Sequence, residues 1–178
     1  ASRGWKFNLN GKYIMPVIKM DDGSMMKNSI VLKADVSGSI AIGKRHSLKI
    51  GATLGSSLLQ EEPPLSYQFF VGGQSNMNYF DNIISFDGLR FTQLYGDHIA
   101  IAKMSWQYNF YKNLYAIANV NGGYINSDYN SWFSDKSFVF GCGLTFGIET
   151  MAGPIELSLM GSNRCSDLVG FLNVGYWF

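Results

Sequence analysis

The stretch FVFGCGLTFGIE, residues 138–149, decides the fold, because apolar and small or polar side chains alternate along it. Apolar side chains occupy the even positions, Phe138, Phe140, Cys142, Leu144, Phe146 and Ile148. Between them lie Gly141, Gly143, Thr145 and Glu149. A period of two is typical of a β-strand that has one apolar and one polar face. A membrane helix needs roughly 18 continuous apolar residues, so the interrupting glycines exclude that alternative.

The same alternation recurs in seven other segments, which gives eight predicted strands in all. These segments are 5–17, 30–42, 48–55, 100–110, 114–124, 155–159 and 172–178. Most are longer than the roughly 5–6 residues of strands in soluble proteins. Most also reach the 9–11 residues, approximately, that a tilted strand needs to cross a bilayer. The sequence therefore predicts an all-β fold, an antiparallel transmembrane β-barrel that occupies residues 1–178 as one domain.

The composition supports a membrane environment over an aqueous one. Only 15% of the residues are charged and 15% are aromatic, whereas soluble domains carry about 25% charged residues. The alternative is a soluble β-sandwich or lipocalin-like barrel, in which the apolar face points inward and the outer face carries more Lys and Glu. A net charge of +1 gives no indication of nucleic-acid binding.

The connections between the predicted strands alternate in length. Short connections, 43–47, 111–113 and 151–154, separate the longer connections 20–28, 59–97, 126–137 and 162–167. Outer-membrane barrels have short periplasmic turns and long extracellular loops. The pattern predicts that both chain ends lie in the periplasm and that about 59–97 is the longest outer loop.

Three groups of motifs carry a family resemblance. The 59–97 connection contains FFVGG at 69–73 and FDGLR at 86–90, and GCGLTF at 141–146 precedes GPIEL at 153–157. The chain ends in GYWF at 175–178. Together these motifs resemble the C-terminal half of the bacterial surface antigen family. That superfamily includes the BamA and TamA assembly barrels, the two-partner secretion transporters, and barrels fused to patatin-like phospholipases.

The resemblance implies a larger barrel in the bacterial outer membrane. Family barrels have sixteen strands, five of them after an inward-folding loop, and here five predicted strands follow Arg90. The chain would then be the C-terminal half of such a barrel. It would be inserted by the barrel assembly machinery, with Tyr176 and Phe178 as the C-terminal insertion signal. Its function would be to anchor or translocate a partner or an N-terminal domain, such as a patatin-like lipase. The partner would be an N-terminal soluble domain or another copy of the barrel. Residues 90–111 look most like patatin-fused barrels of Bacteroidetes.

The predicted loop tip is Gly88, Leu89 and Arg90, which departs from the family's order of Val-Arg-Gly. In the family, acidic side chains on two following strands hold the loop arginine. The aligned positions here are Gln107 and Asn121. The resemblance therefore implies that these amides, or alternatively Glu149 or Glu156, are the lumen partners of the loop. An exposed loop arginine is the other interpretation.

The sequence predicts no enzyme, metal site or cofactor. It has no Gly-x-Ser-x-Gly nucleophile elbow. His46 and His98 are far apart, and His98 beside Asp97 is a faint catalytic candidate without an identifiable partner. The alternative function is a free-standing eight-stranded structural or adhesion protein. The interior of such a barrel is just wide enough for its own side chains, so it would have no pore.

Overall fold

The computed structural model describes residues 4–15, 28–58, 67–74, 80–128 and 137–175. In these ranges the chain forms β-strands and their connections. The strands are β1 (Gly4–Ile14), β2 (Ser29–Ile42), β3 (His46–Leu58), β4 (Phe69–Val71), β5 (Ile83–Ile84), β6 (Leu94–Gly96), β7 (His98–Asn109), β8 (Leu114–Asn126), β9 (Phe138–Thr150), β10 (Gly153–Ser162) and β11 (Cys165–Val174). Over the part that is described, no helix has the length and apolar character required to cross a membrane.

Eight long strands form one antiparallel sheet in the order β1-β2-β3-β7-β8-β9-β10-β11. This arrangement confirms the predicted all-β fold and its eight antiparallel strands. The three short strands form a separate sheet in the order β5-β4-β6. Within the described ranges β1 and β11 do not pair with each other, so the long sheet has two open edges.

The two faces of the long sheet differ as the alternation predicts. Along β9 the apolar even positions are exposed, whereas Val139, Gly141, Gly143, Thr145 and Gly147 are buried. Trp106 is 45% exposed, Leu144 54% and Val174 70%. In a soluble β-sandwich these side chains would be sealed inside. The apolar face is instead the open face, and the polar face is the one that the protein covers.

Three tight turns are found where short connections were predicted, at 43–45, 110–113 and 151–152. The prediction of a longer connection at 162–167 is wrong, because only Asn163 and Arg164 separate β10 from β11. Ser162 pairs directly with Cys165, after a bulge that follows Met160. The Asn163 side chain accepts a hydrogen bond from the Phe140 amide (2.9 Å), which holds the turn against β9. The polar composition of this segment is typical of a loop, but its side chains stabilise a tight turn. Tyr176 and Phe178 lie outside the described residues.

The apolar core lies between the polar face and the long connection that follows β3. The connection contributes Phe69, Val71, Ile84, Phe86 and Leu89, and the strands contribute Val31, Ile99, Ile101, Ile125 and Val139. The five strand residues are apolar side chains on an otherwise polar face, near the ends where the long connections begin. Burying each such side chain contributes about 1.5–3 kcal/mol. The core therefore fixes the connection against the sheet.

Candidate functional site

The described part of the long connection, residues 67–74 and 80–97, is termed the inner loop. Its three strands are β4 at the centre, parallel to β5 and antiparallel to β6. Beyond the strands, the Gly73 amide donates to the Leu89 carbonyl and the Phe86 amide donates to the Gly73 carbonyl, each at 3.0 Å. Phe69 and Phe86 are each 1% exposed and Leu89 is fully buried. The inner loop is therefore a folded element with its own hydrogen bonds and its own buried residues.

Glycines allow the inner loop to approach the sheet at backbone distance. A Cβ atom on Gly141 would overlap the Asp87 carbonyl oxygen, and one on Gly88 would overlap the Gly161 carbonyl. Gly88 also has a φ of 87°, a conformation that glycine adopts without the steric cost of a Cβ atom. Gly141 of the GCGLTF motif and Gly88 of the FDGLR motif thus allow the loop tip to contact strands β9 and β10.

The side chain of Arg90 contacts the edge strand β11. It is 70% exposed, and its Nη2 lies 3.5 Å from Oδ2 of Asp167, which is 73% exposed. An exposed ion pair of this kind contributes about 0–1 kcal/mol. The Arg90 amide donates to Gln93 Oε1 at 2.7 Å, which stabilises the turn beyond the tip. In the order Gly-Leu-Arg it is Leu89 that enters the core, and Arg90 is left at the surface.

Arg90 thus pairs with Asp167, and the four candidate lumen partners of the loop have the following positions and contacts. Gln107 donates to Asn109 at 2.9 Å, near the short turn. Glu156 accepts hydrogen bonds from Tyr115 (2.7 Å) and Asn173 (3.3 Å). Glu149 is exposed at the end of β9. Asn121 is 2% exposed and lies beside Gly141, against which the loop tip packs.

Two charged residues, Lys103 of the sheet and Asp87 of the inner loop, each form a hydrogen bond with a side chain of the inner loop. Lys103 of β7 donates to Ser85 Oγ at 2.8 Å, and Gln74 donates to Asp87 Oδ1 at 3.3 Å. Burial raises the pKa of Asp87, while Gln74 and the charge of Lys103 act in the opposite direction. The loop thus supplies the carboxylate and the strand supplies the cation. Lys103, a lysine on the polar face, is the signal that the sequence offers for this contact, and no local pattern selects Ser85 or Gln74 as partners.

The inner loop also reaches the first strand of the sheet. Asp81 Oδ2 lies 2.9 Å from Lys12 Nζ and accepts a hydrogen bond from Asn10 at 3.0 Å. The hydrogen bond from Lys12 lowers the pKa of Asp81. At the other end, Gln93 donates to the Arg164 carbonyl at 3.5 Å, in the β10–β11 turn. The loop therefore extends across the whole polar face, from β1 to β11.

Ser56 is the hydrogen-bond partner of His98 that the sequence did not identify. Ser56 Oγ and His98 Nδ1 are 2.8 Å apart, on neighbouring strands β3 and β7. His98 is only 6% exposed, whereas a general base must reach the proton of a bound substrate. The pair therefore joins two strands. In the described ranges no group of three or more His, Cys, Asp or Glu side chains could hold a metal ion.

The raised pKa of Asp87 predicts that docking of the inner loop depends on pH. A docked carboxyl with a raised pKa binds its proton more tightly than the undocked one. The contribution of Asp87 to docking is therefore fully present in acid and is lost as the pH rises through the docked pKa. Amide exchange of residues 83–96, corrected for intrinsic rates, should show this trend above about pH 4. Asp87→Asn should reduce the change in amide exchange rate per pH unit. A slope that is the same in both proteins would contradict the prediction.

Comparison with known protein families gives one finding. The family model for the OMP85 superfamily matches residues 1–178, which is the whole chain. No curated protein matches the chain. The family match confirms the sequence resemblance at the level of the superfamily.

Proposed function

Because this chain belongs to the OMP85 superfamily, we propose that it is one half of a larger outer-membrane barrel that anchors or translocates a partner. Members of the superfamily sit in the bacterial outer membrane and are generally transporters or assembly factors rather than enzymes. The chain is accordingly an outer-membrane barrel module. The proposal concerns the size of the complete barrel and the nature of the partner.

The volume of the inner loop favours a larger barrel. An eight-stranded barrel has an interior just wide enough for its own side chains. The inner loop adds a three-stranded sheet above the polar face, and packed sheets lie about 10 Å apart. Such a layer does not fit inside a closed eight-stranded barrel. The open edges of β1 and β11 also need pairing partners, because unpaired strand edges promote association. Further strands of the same protein, or a second copy, would supply both the space and the pairing.

The sequence supports an N-terminal soluble domain as the partner. Residues 90–111 resemble barrels fused to patatin-like phospholipases, and the chain itself has no nucleophile elbow. Any lipase chemistry would therefore belong to the attached domain, which the barrel would hold at the membrane or pass across it. The inner loop extends across the polar face, so passage through the lumen would require it to move.

Cysteine cross-linking in the full-length protein tests the size of the barrel. After replacement of Cys142 and Cys165 by serine, a Lys6→Cys/Asn173→Cys pair joins the two edge strands only if β1 and β11 are adjacent. The proposal predicts no disulfide within one copy. The control pair is Lys6→Cys/Ser37→Cys, because these residues are direct register partners on β1 and β2 with Cβ atoms about 5 Å apart. The control should form a disulfide readily.

An efficient 6–173 disulfide within one copy would contradict the proposal and favour the free-standing eight-stranded barrel. A disulfide formed only between two copies would identify a second chain as the source of the missing strands. The partner is tested separately, by removing the barrel from the full-length protein. The N-terminal domain should then leave the outer-membrane fraction. Retention of that domain in the membrane would contradict the anchoring function.

A further inference from the structure

An aromatic row lies on the apolar face of the sheet at the end with the short turns. His46 of β3 is the direct register partner of Tyr108 of β7, and their ring centroids are 4.7 Å apart. Trp106 stacks on His46 at 5.7 Å and at an interplanar angle of 6°. Phe110 extends the row, with an edge contact to Tyr108 at 5.5 Å. Aromatic side chains at this depth are typical of the boundary between hydrocarbon and headgroups.

The two short turns beside this row are positively charged. The β2–β3 turn carries Lys44 and Arg45, and the β7–β8 turn carries Lys112, all of them exposed. The Asn109 amide donates to the Arg45 carbonyl at 2.8 Å, which holds the two turns together. Neither turn contains an acidic residue. Glu149, at the same end of the sheet, occupies a polar-face position of β9. The three exposed cations therefore lie beside the aromatic row without a carboxylate in their own turns.

A shallow trough lies along β8 between the exposed side chains of Leu114, at the turn end, and Val120. Its floor is formed by Ala116 and Ala118, both half-buried. Tyr108 and Trp106 of β7 flank the two alanines on one side. Phe146 and Leu144 of β9, 57% and 54% exposed, flank them on the other side. Strand spacing of about 4.8 Å makes the trough roughly 10 Å wide. The methyl groups of the two alanines lie between larger apolar side chains on both sides, so the trough fits an extended acyl chain.

We propose that this surface binds an anionic phospholipid. The phosphate contacts Lys44, Arg45 and Lys112, and one acyl chain lies in the trough over Ala116 and Ala118. Charge complementarity selects an anionic headgroup over a zwitterionic one, since each Lys or Arg near an anionic surface contributes about 1 kcal/mol. The proposal rests on the outer-membrane location and is independent of the size of the complete barrel.

Tryptophan quenching by brominated lipids tests the site. Trp106 is kept as the single tryptophan of the full-length protein, which is reconstituted into phosphatidylcholine vesicles that contain brominated phosphatidylglycerol or brominated phosphatidylcholine. We expect a preference for the anionic lipid. Arg45→Gln/Lys112→Gln should lower that preference about 30-fold, as two contributions of about 1 kcal/mol require. The control Lys6→Gln/Lys49→Gln removes the same amount of charge from polar-face positions. The preference for the anionic lipid should be unchanged in this control.

A second variant tests the trough without changing the charge. Ala118→Leu fills the floor and should lower the preference while the membrane-inserted protein remains folded. Equal quenching by both lipids in the unmodified protein would overturn the proposal. An equal loss in the Lys6/Lys49 control would also overturn it, because net charge alone would then explain the preference. An unchanged preference in Ala118→Leu would overturn the assignment of the acyl chain to the trough.

Discussion

Leu144→Arg will destabilise the folded protein in a lipid bilayer by about 2–4 kcal/mol, the cost of an arginine near the middle of the lipid face of a barrel. Leu144 lies in the centre of β9 and is 54% exposed on the apolar face. In the membrane that exposed surface contacts hydrocarbon, where a guanidinium loses its hydration. The free energy of unfolding from vesicles in denaturant measures the effect.

Asn119→Arg is the matched control. Asn119 of β8 pairs directly with Gly143, the residue that precedes Leu144 in β9. The Asn119 side chain therefore lies on the polar face, opposite to that of Leu144. The same charge there should cost less than at Leu144, because the lumen-facing positions of outer-membrane barrels accept polar and charged side chains. Equal costs at the two positions would mean that the faces do not differ in environment. A larger cost for Asn119→Arg would reverse their assignment.

Gly141→Ala will displace the inner loop from the sheet. The added Cβ atom overlaps the Asp87 carbonyl oxygen, which is backbone and cannot rotate away. Displacement exposes Phe86 and Leu89, whose burial contributes about 1.5–3 kcal/mol each. Amide exchange of residues 83–96 should therefore accelerate by at least about 100-fold, which corresponds to roughly 3 kcal/mol. The eight long strands should keep their protection, because the overlap affects the loop tip.

Gly122→Ala provides the comparison for this variant. Gly122 lies directly opposite Phe140 in the neighbouring strand, and a Cβ atom there has no neighbour closer than 3.7 Å. Exchange of the inner loop should remain close to that of the unmodified protein. If both variants accelerate exchange equally, the loss reflects weaker strand pairing and the close approach of the loop tip is not the cause.

The sequence predicts the strands and their faces well because a period of two is a local property. Residues 138–148 establish by themselves which side chains share a face, and neighbouring strands repeat the pattern. Apolar exceptions such as Ile99 and Ile101 on the polar face are also visible in the sequence. Only the folded structure shows that Ile99 and Ile101 pack against the apolar residues of the inner loop.

The contacts of the loop could not be predicted, because they join residues that only the folded chain brings together. Arg90 and Asp167 are distant in sequence, and no local pattern selects Asp167 over Glu149 or Glu156. The family order of the loop tip suggested a buried arginine, whereas in this chain Leu89 occupies the core. Likewise, the two-residue turn at Asn163 and Arg164 depends on hydrogen bonds to β9, which its polar composition does not reveal.

The assignment of the two faces is tested most directly by nitroxide labels placed along β3. Labels at Ala52 and Leu54 should be accessible to oxygen dissolved in the lipid, and labels at Lys49 and Gly51 should be accessible to a water-soluble nickel complex. Accessibility should alternate from residue to residue, with lipid contact at the even positions. Nickel contact at Ala52 and Leu54, combined with oxygen contact at Lys49, would show that the apolar face does not lie against lipid.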